Sequence, residues 1–338
     1  MKLRLLLFSL FAVTCLFGQQ IEWQGSLSAA AQFAGEDQVP FWMQTNNHFR
    51  FGPETNFSGL ANFNAKHSLS ETSNLEFGAT FYYRDGVEDE FQRRDLYLQF
   101  ENRWLRARVG AKANEEVAQG LSVSNKNFLM SGNARPLAGV LLEANDPLKI
   151  TETFSFDWGI GHYEMNDNRY VEDVKLHHKW LTLITQFNEN HKLTAQLQHY
   201  VQWGGTSPVF GDLPSDFSAF IKVFFATNST EVGIEDEIAN AVGNHLGAYL
   251  LDYEFKTQLG EFSIYHEHPF EDGSGMRLSN LPDGIWGVHF QPKNKKLIKG
   301  ACMSTSLRTI KVSPRLMERT IILAMVCIEV DGVTKGVF

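Results

Sequence analysis

The densest group of ionisable side chains is the stretch HEHPFED that begins at His266. In an extended strand His266 and His268 point to the same side, so with Glu271 or Asp272 they could ligate a metal ion. The stretch is equally typical of lumen-facing polar residues at a strand end, because Pro269 cannot donate a ladder hydrogen bond and a turn follows. We predict no metal site and no cofactor; an exported metal-dependent hydrolase centred on the two histidines is the alternative.

The adjacent carboxylates of Glu271 and Asp272 could also serve glycoside hydrolysis. A glycosidase needs two carboxyl groups that face each other across the scissile bond, whereas neighbouring carboxylates on a turn usually point apart. None of the glycine-rich turns between residues 199 and 287 contains a nucleophile elbow, a phosphate loop or a zinc-binding spacing. The prediction is therefore no catalytic residues and no enzyme, with a glycosidase as a further alternative.

The same polar turns suit the binding of sugars. Amide and carboxylate groups hydrogen-bond sugar hydroxyls, and an aromatic side chain provides a flat platform for the ring. The alternative is that the turns are only structural, and the residue types leave both interpretations open. The predicted glycan-binding residues are Trp203, Asn244, His245, Glu271, Asp272, Asp283 and Trp286.

Composition narrows the class of protein. The 338 residues carry a formal net charge of −9, which disfavours a nucleic-acid partner because phosphate binding needs a basic face. Aromatic residues make up 13% of the chain, and outer-membrane barrels use such residues in girdles at both interfaces. No cysteine occurs between residues 19 and 300, so ladder hydrogen bonds and packing must stabilise this part.

The N-terminus has the form of a secretory signal. Residues 1–4 are its charged part and residues 5–17 its apolar part, so we assign residues 1–19 to a signal peptide. Cys15 follows Ala-Val-Thr, a poor lipobox, and no lipid anchor is predicted. The apolar part and all later apolar runs are too short to be membrane helices. If this protein enters a membrane, it does so as a barrel.

Nine segments alternate apolar and polar residues with a period of two, as strands with one apolar and one polar face do. They are residues 57–69, 75–83, 96–100, 105–112, 154–163, 174–187, 193–202, 246–255 and 262–268.

Two features favour a membrane barrel over a soluble sandwich or a lipocalin-like barrel. The polar faces carry long charged side chains, such as Arg106, Arg108 and Lys112, which suit a wet lumen, and the apolar faces carry aromatics near strand ends. Some turns are short, whereas other connections, such as residues 203–244, are long. For residues 20–300 the predicted fold class is all-β, an outer-membrane antiparallel β-barrel.

One segment of the 203–244 connection departs from the period of two. Phe217, Ile221 and Phe225 recur at helical spacing, as do two further phenylalanines, and Pro-Ser-Asp just before them supplies a helix start. This predicts a short amphipathic helix in a long loop, which packs on the rest of the protein or lies at the membrane surface.

Five ordered motifs occur at residues 39–43 (VPFWM), 202–207 (QWGGTS), 243–247 (GNHLG), 268–275 (HPFEDGSG) and 282–287 (PDGIWG). They resemble motifs of the Wzi capsule assembly family in its Bacteroidetes-type form, over about residues 20–300. The resemblance implies a large outer-membrane β-barrel with a lectin-like, non-catalytic role in tethering capsular polysaccharide or exopolysaccharide to the cell surface. The implied partners are this polysaccharide and outer-membrane lipid, without nucleic acid, and a passive porin is the remaining alternative.

The atypical tail, residues 301–338, departs from the family pattern. It has one aromatic residue, Phe338; residues 304–309 have no apolar face and residues 321–328 are apolar on both faces, which suits neither lipid nor a wet lumen. A shifted reading frame near codon 300 would explain this composition. We expect the tail to pack poorly, or to be strand-like in appearance only, and to leave the barrel incomplete at its C-terminal end.

Overall fold

The computed structural model describes residues 21–33, 50–130, 132, 134–227, 242–296, 298–310, 319–330 and 333–337. Within these ranges one antiparallel sheet of 16 strands dominates the fold. No described helix has the length and apolar character that crossing a bilayer would require. The predicted signal peptide and the motif at residues 39–43 lie outside the described residues.

The strands follow one another along the chain. They are β1 (Ile21–Ala31), β2 (Phe57–Ser70), β3 (Ser73–Arg84), β4 (Phe91–Glu101), β5 (Leu105–Ala111), β6 (Ala138–Ala144), β7 (Leu148–Lys149), β8 (Phe154–Met165), β9 (Val174–Asn188), β10 (His191–Trp203), β11 (Thr206–Ser207), β12 (Gly211–Asp212), β13 (Asn244–Lys256), β14 (Gly260–Phe270), β15 (Gly284–Pro292), β16 (Gly300–Ile310), β17 (Arg319–Val330) and β18 (Val333–Val337). Strands β11 and β12 form a separate ribbon, and β7 pairs only with β8. Each other strand pairs with its neighbours in chain order, which is an up-and-down topology.

The nine predicted strands are confirmed as β2, β3, β4, β5, β8, β9, β10, β13 and β14. The predicted helix is confirmed as α1 (Phe217–Phe225). It begins where expected, because the Asp216 carboxylate accepts a hydrogen bond from the Ala219 amide at 2.7 Å. A single-turn helix, α2 (Gly273–Met276), follows β14.

Strand β6 was not predicted, because its apolar residues do not alternate with polar ones. Val140 and Leu142 are exposed on one face, as a membrane strand requires, but Leu141 between them is also apolar and is buried on the other face. A strand that packs against a protein segment on its inner face loses the period-two signal.

The main sheet has one polar and one apolar face, and their exposure is the reverse of that in a soluble protein. The buried polar side chains include Thr80, Gln99, Asp252, Ser263 and Glu267. The exposed apolar side chains include Phe77, Leu98, Val109, Val140, Leu181, Leu197 and Ile264. This inversion is that of an outer-membrane barrel, with lipid outside and a polar lumen inside.

The connection from β5 to β6 identifies the polar face as the inside. Ser124 in this connection contacts Glu267 on β14, and Asn127 contacts Tyr200 on β10, although β10 and β14 neighbour neither β5 nor β6. One connection can reach such distant strands only if the sheet curves around it. We call residues 114–130 the plug, the polar concave face the lumen wall, and the apolar convex face the outer wall.

Long connections gather at one end of the sheet. The links from β5 to β6, from β10 to β13 and from β14 to β15 lie at this end, whereas the turns from β2 to β3, β4 to β5 and β9 to β10 lie at the other. In outer-membrane barrels the long loops face the outside of the cell and the short turns face the periplasm. We call the end with the long connections the long-loop rim.

Residues 300–310, 319–330 and 333–337 form the strands β16, β17 and β18, in the tail whose composition predicts poor packing. Cys302 and Ser304 are buried on the lumen wall and Met303 is exposed on the outer wall, so the start of β16 keeps the barrel alternation. In the described part of the chain, β1 and β18 each have one neighbour and do not pair with each other. The sheet is thus open, in agreement with the predicted incomplete barrel.

Candidate functional site

The plug is anchored by an apolar side chain near its middle. Leu121 is buried in a cluster with Tyr265, Ile285, Cys302 and Cys327, which β14 to β17 contribute to the lumen wall. Burial of a leucine contributes roughly 1.5–3 kcal/mol relative to an exposed one. This contact ties the plug to strands that are remote from its own ends.

An ion pair anchors the plug further along. The Lys126 ammonium donates to the carboxylate of Asp252 on β13 and, at 2.9 Å, to the Ser263 hydroxyl on β14. Ser263 in turn donates to Asp252 at 2.7 Å. Both ions of the pair are mostly buried, and this hydrogen-bonded geometry compensates for their removal from water.

Two serines complete the attachment. Ser124 donates to the carboxylate of Glu267, whose side chain is fully buried on the lumen wall. The hydroxyls of Ser122 and Tyr265 lie 3.3 Å apart. The plug therefore crosses the lumen and is held on the far wall by polar and apolar contacts together.

The lumen wall on the near side carries a second charged network. Arg106 on β5 pairs with Glu101 at 2.9 Å and with Glu143 at 3.1 Å. Lys112 lies 3.6 Å from Glu76, whose carboxylate also accepts from the Tyr97 hydroxyl. The prediction that Arg106 and Lys112 face a polar interior agrees with these contacts.

A polar cavity of about 820 Å³ lies in the lumen beside the plug. Lys126, Asp252, Glu254 and His289 line it, together with residues near the short turns, such as Asn190. Its hydroxyl, amide and charged groups can hydrogen-bond water or a polar solute. It was not predicted from the sequence.

The seven predicted glycan-binding residues lie in one sector of the long-loop rim. Trp203 ends β10, Asn244 and His245 begin β13, and Glu271 and Asp272 follow β14. Asp283 and Trp286 stand just before and near the start of β15. The sheet thus brings together residues from four separate motifs, although they do not converge on a single pocket.

Trp203 is buried and His245 is half-buried at this rim. Trp203 is only 5% exposed and is packed beneath α1, against Ala219 and Val223. The His245 Nδ1 atom lies 2.9 Å from the Nε2 atom of His199, and its own Nε2 lies 2.8 Å from the Val242 carbonyl oxygen. Neither side chain is an open platform for a sugar ring in this conformation.

Asp272 has a structural role as the N-cap of α2. Its carboxylate accepts from the amides of Ser274 at 2.9 Å and Gly275 at 2.8 Å, and from the Ser274 hydroxyl at 2.7 Å. The hydrogen bond from the Gly275 amide, followed by that from the Ser274 hydroxyl, holds the pKa of Asp272 below its usual range. The adjacent Glu271 is exposed.

Trp286 lies on the outer wall below Asp272 and is 40% exposed. Its indole nitrogen donates to the Pro282 carbonyl at 3.0 Å, and its ring stacks on His266 with centroids 4.1 Å apart. Asp283 contributes its carbonyl oxygen, 3.0 Å from the Nδ1 atom of His268. Residues 271–283 thus fold over the outer wall and brace this stack.

His266 and His268 face the outer wall, not the lumen as their sequence context suggested, and Glu267 between them faces the plug. The ring centroids lie 5.8 Å apart. The Nδ1 atom of His266 lies 3.2 Å from the Ile285 carbonyl, and His268 Nε2 lies 3.2 Å from the Gly275 carbonyl. In the described ranges, no three or more His, Cys, Asp or Glu side chains are arranged to hold a metal ion.

Lys126, Asp252 and Glu267 were missed as candidate residues. Asp252 and Glu267 occur in strands with ordinary alternation, and their partners lie more than a hundred residues earlier in the chain. The available signal was only that long connections in barrels can fold inward. Sequence spacing alone could not predict which polar residue of the plug contacts which residue of the lumen wall.

Comparison with known proteins shows what the chain is similar to. No family model and no curated protein matches it. Among solved structures, Wzi of Escherichia coli has a TM-score of 0.52 at 14% identity, over 96% of this chain and 70% of that one. Wzi is an outer membrane protein involved in group 1 capsule assembly and is described as a carbohydrate-binding β-barrel.

Two other barrels match less well. Salmonella typhi OmpF in complex with daunomycin has a TM-score of 0.37 at 6% identity, over 91% of this chain and 97% of that one. The outer membrane channel DcaP of Acinetobacter baumannii has a TM-score of 0.32 at 10% identity, over 94% of each chain. The Wzi match shows a Wzi-like barrel fold, and membership of the Wzi family stays a prediction.

Proposed function

We propose that this chain is a non-catalytic outer-membrane barrel that binds capsular polysaccharide or exopolysaccharide at the cell surface and takes part in its assembly or attachment. The Wzi-like fold supports this proposal, as do the four described motifs that meet at the long-loop rim. The exposed polar residues of this rim are the kind of groups that hydrogen-bond sugars.

The plug is the observation that favours this proposal over the alternative, a passive porin. A porin needs an open aqueous channel through the barrel. Here a segment crosses the lumen and is held on the far wall by Leu121, Ser124 and Lys126. A barrel obstructed in this way is better suited to binding at its rim than to free passage of solutes.

The proposed glycan contacts are the exposed members of the predicted set. Asn244, Glu271 and Asp272 stand at the ends of the adjacent strands β13 and β14. Trp286, the third residue of β15, offers a partly exposed ring at the rim end of the outer wall, where that wall leaves the lipid. Trp203, His245 and Asp283 support the rim and do not touch the glycan. Trp203 does so by packing against α1, His245 by its contacts with His199 and Val242, and Asp283 by its contact with His268. Amide, carboxylate and aromatic groups in one sector are the set that sugar recognition requires.

The test is glycan binding by the full chain, purified in detergent, with capsular polysaccharide and exopolysaccharide from its own cells. We expect binding without shortening of the polymer. Trp286→Ala and Glu271→Gln should each weaken it about tenfold, equivalent to about 1.4 kcal/mol. Trp104→Ala is the matched control, because Trp104 is exposed in the turn between β4 and β5 at the opposite end of the barrel.

Three results would contradict the proposal. They are absence of binding to either polymer, release of shorter saccharides by the purified chain, and equal loss of affinity in the Trp104 and Trp286 variants. Release of saccharides would point instead to the exported hydrolase that the sequence leaves as an alternative.

A further inference from the structure

Helix α1 lies against the outer wall of the barrel. Its buried side chains Ala219 and Val223 pack with Val201 and Trp203 of β10. Side chains alternate along a strand, so these two β10 residues share a face with Leu197, which is exposed on the outer wall. The helix and the plug therefore lie on opposite faces of the sheet.

The wall beneath α1 carries a cluster of six basic side chains. His162 pairs across strands with His177, and Lys179 pairs with His199. His177 is fully buried, and neither of its ring nitrogens has a hydrogen-bond partner among the described residues. We call this set the basic patch: His162, Lys175, His177, Lys179, His199 and His245.

Helix α1 seals the basic patch with aromatic rings. The Phe220 ring centroid lies 5.7 Å from that of His162 and 5.5 Å from that of His177, and Phe224 lies 5.3 Å from His177. The Lys179 ammonium donates to the Phe224 carbonyl, one of the carbonyls that the end of a helix leaves without an internal partner. The polar groups of this wall are thus covered by protein.

The far side of α1 is apolar and exposed. Phe217, Ile221 and Phe225 recur every four residues and are 76%, 40% and 66% exposed. We propose that this stripe is embedded among the acyl chains of the outer leaflet, so that α1 replaces the missing apolar wall where the strands carry the basic patch. The helix then acts as a membrane-contacting cover over a polar part of the barrel.

Continuity with the outer wall identifies lipid as the occupant. The stripe extends the apolar surface formed by Leu181 and Leu197, which the barrel fold places in lipid. Polar wall residues exposed to hydrocarbon would be unfavourable, and a cover with an apolar far side removes this conflict. The helix lies near the long-loop rim, at the level where an outer-leaflet interface meets such a barrel.

Spin labelling in vesicles of phosphatidylcholine and phosphatidylglycerol tests the proposal. Single cysteines are introduced as Phe217→Cys, Ile221→Cys and Phe225→Cys, with Leu197→Cys as the lipid-facing control and Thr194→Cys as the control in the polar lumen cavity. Cys302 and Cys327 are buried, and a chain with no added cysteine measures their background labelling. Accessibility to oxygen, which concentrates in lipid, is compared with that to a water-soluble nickel complex.

We expect the three helix labels to resemble the Leu197 label, with high access to oxygen and low access to nickel. Nickel access equal to that of the Thr194 label would overturn the proposal, and so would low access to both reagents, which would indicate a covering protein. As a second measure, Phe217→Ser with Phe225→Ser should lower the yield of vesicle insertion at least several-fold, whereas Phe217→Leu with Phe225→Leu should not. Equal insertion of the two double variants would also contradict it.

Discussion

The Lys126–Asp252 pair shows how single residues hold the plug. Replacing Lys126 by Met removes one partner and leaves the Asp252 carboxylate buried without its cation, which costs about 3–5 kcal/mol of unfolding free energy. Guanidinium unfolding of the detergent-solubilised barrel, followed by tryptophan fluorescence, measures this loss. Adding Asp252→Asn should recover much of it, and an additive double-mutant cycle would mean that the two residues do not interact.

Asp272 makes the rim sensitive to acid. Hydrogen bonds to its charged form lower its pKa in the folded state, so the N-cap is intact at neutral pH and is lost as the pH falls through that lowered value. Amide exchange at Ser274 and Gly275, corrected for its intrinsic pH dependence, should therefore accelerate in acid. In Asp272→Asn this acid step should be absent; an identical acid profile in both chains would show that another group is responsible.

At the scale of elements, the plug governs what can pass through the barrel. Replacing residues 114–130 by a short Gly-Ser linker removes the segment that crosses the lumen and its contacts with β13 and β14. We expect the full chain to conduct ions weakly in planar lipid bilayers and the shortened chain to conduct several-fold better. Equal conductance of the two chains would mean that the plug does not obstruct the lumen and would favour the porin alternative.

Most elements with strict alternation were predicted, although β1 (Ile21–Ala31) was missed, and elements shaped by distant contacts were not predictable. Residues 75–83 and 193–202 were predicted as strands because each has one lipid-facing apolar side and one polar side. Strand β6 does not show this alternation, because its apolar residue Leu141 is buried on the lumen wall. In the candidate site, Glu271 and Trp286 were both assigned to polar turns from their motifs; Glu271 does follow β14, whereas Trp286 lies within β15. The coverage of Trp203 depends on where α1 docks, which local sequence does not specify.

At the scale of the whole molecule, the open sheet is the feature with the clearest consequence for insertion. Strands β1 and β18 have unpaired edges in the described part of the chain, and unpaired backbone groups are costly in lipid. We expect the 338-residue chain to insert in lower yield than a frame-restored version, and only the restored version to show heat-modifiable gel mobility. Sequencing the DNA around codon 300 and expressing both versions tests this.

The opposite result would be equally clear. If the 338-residue chain alone inserts stably and shows heat-modifiable mobility, the shifted frame is wrong and residues 301–338 are a genuine, divergent part of the protein. The seating of Cys302 against Leu121 and Tyr265 would then be a native contact.

The plug also imposes an order of events on folding. Ser122 and Ser124 each meet a partner that lies 143 residues later in the chain, so their contacts cannot form until β14 has been made and brought into place. Contacts between residues so far apart in sequence slow folding, because the intervening chain must first be ordered. The plug therefore stays undocked until the later strands have formed around it, and its attachment to β14 is one of the last steps in folding of the barrel.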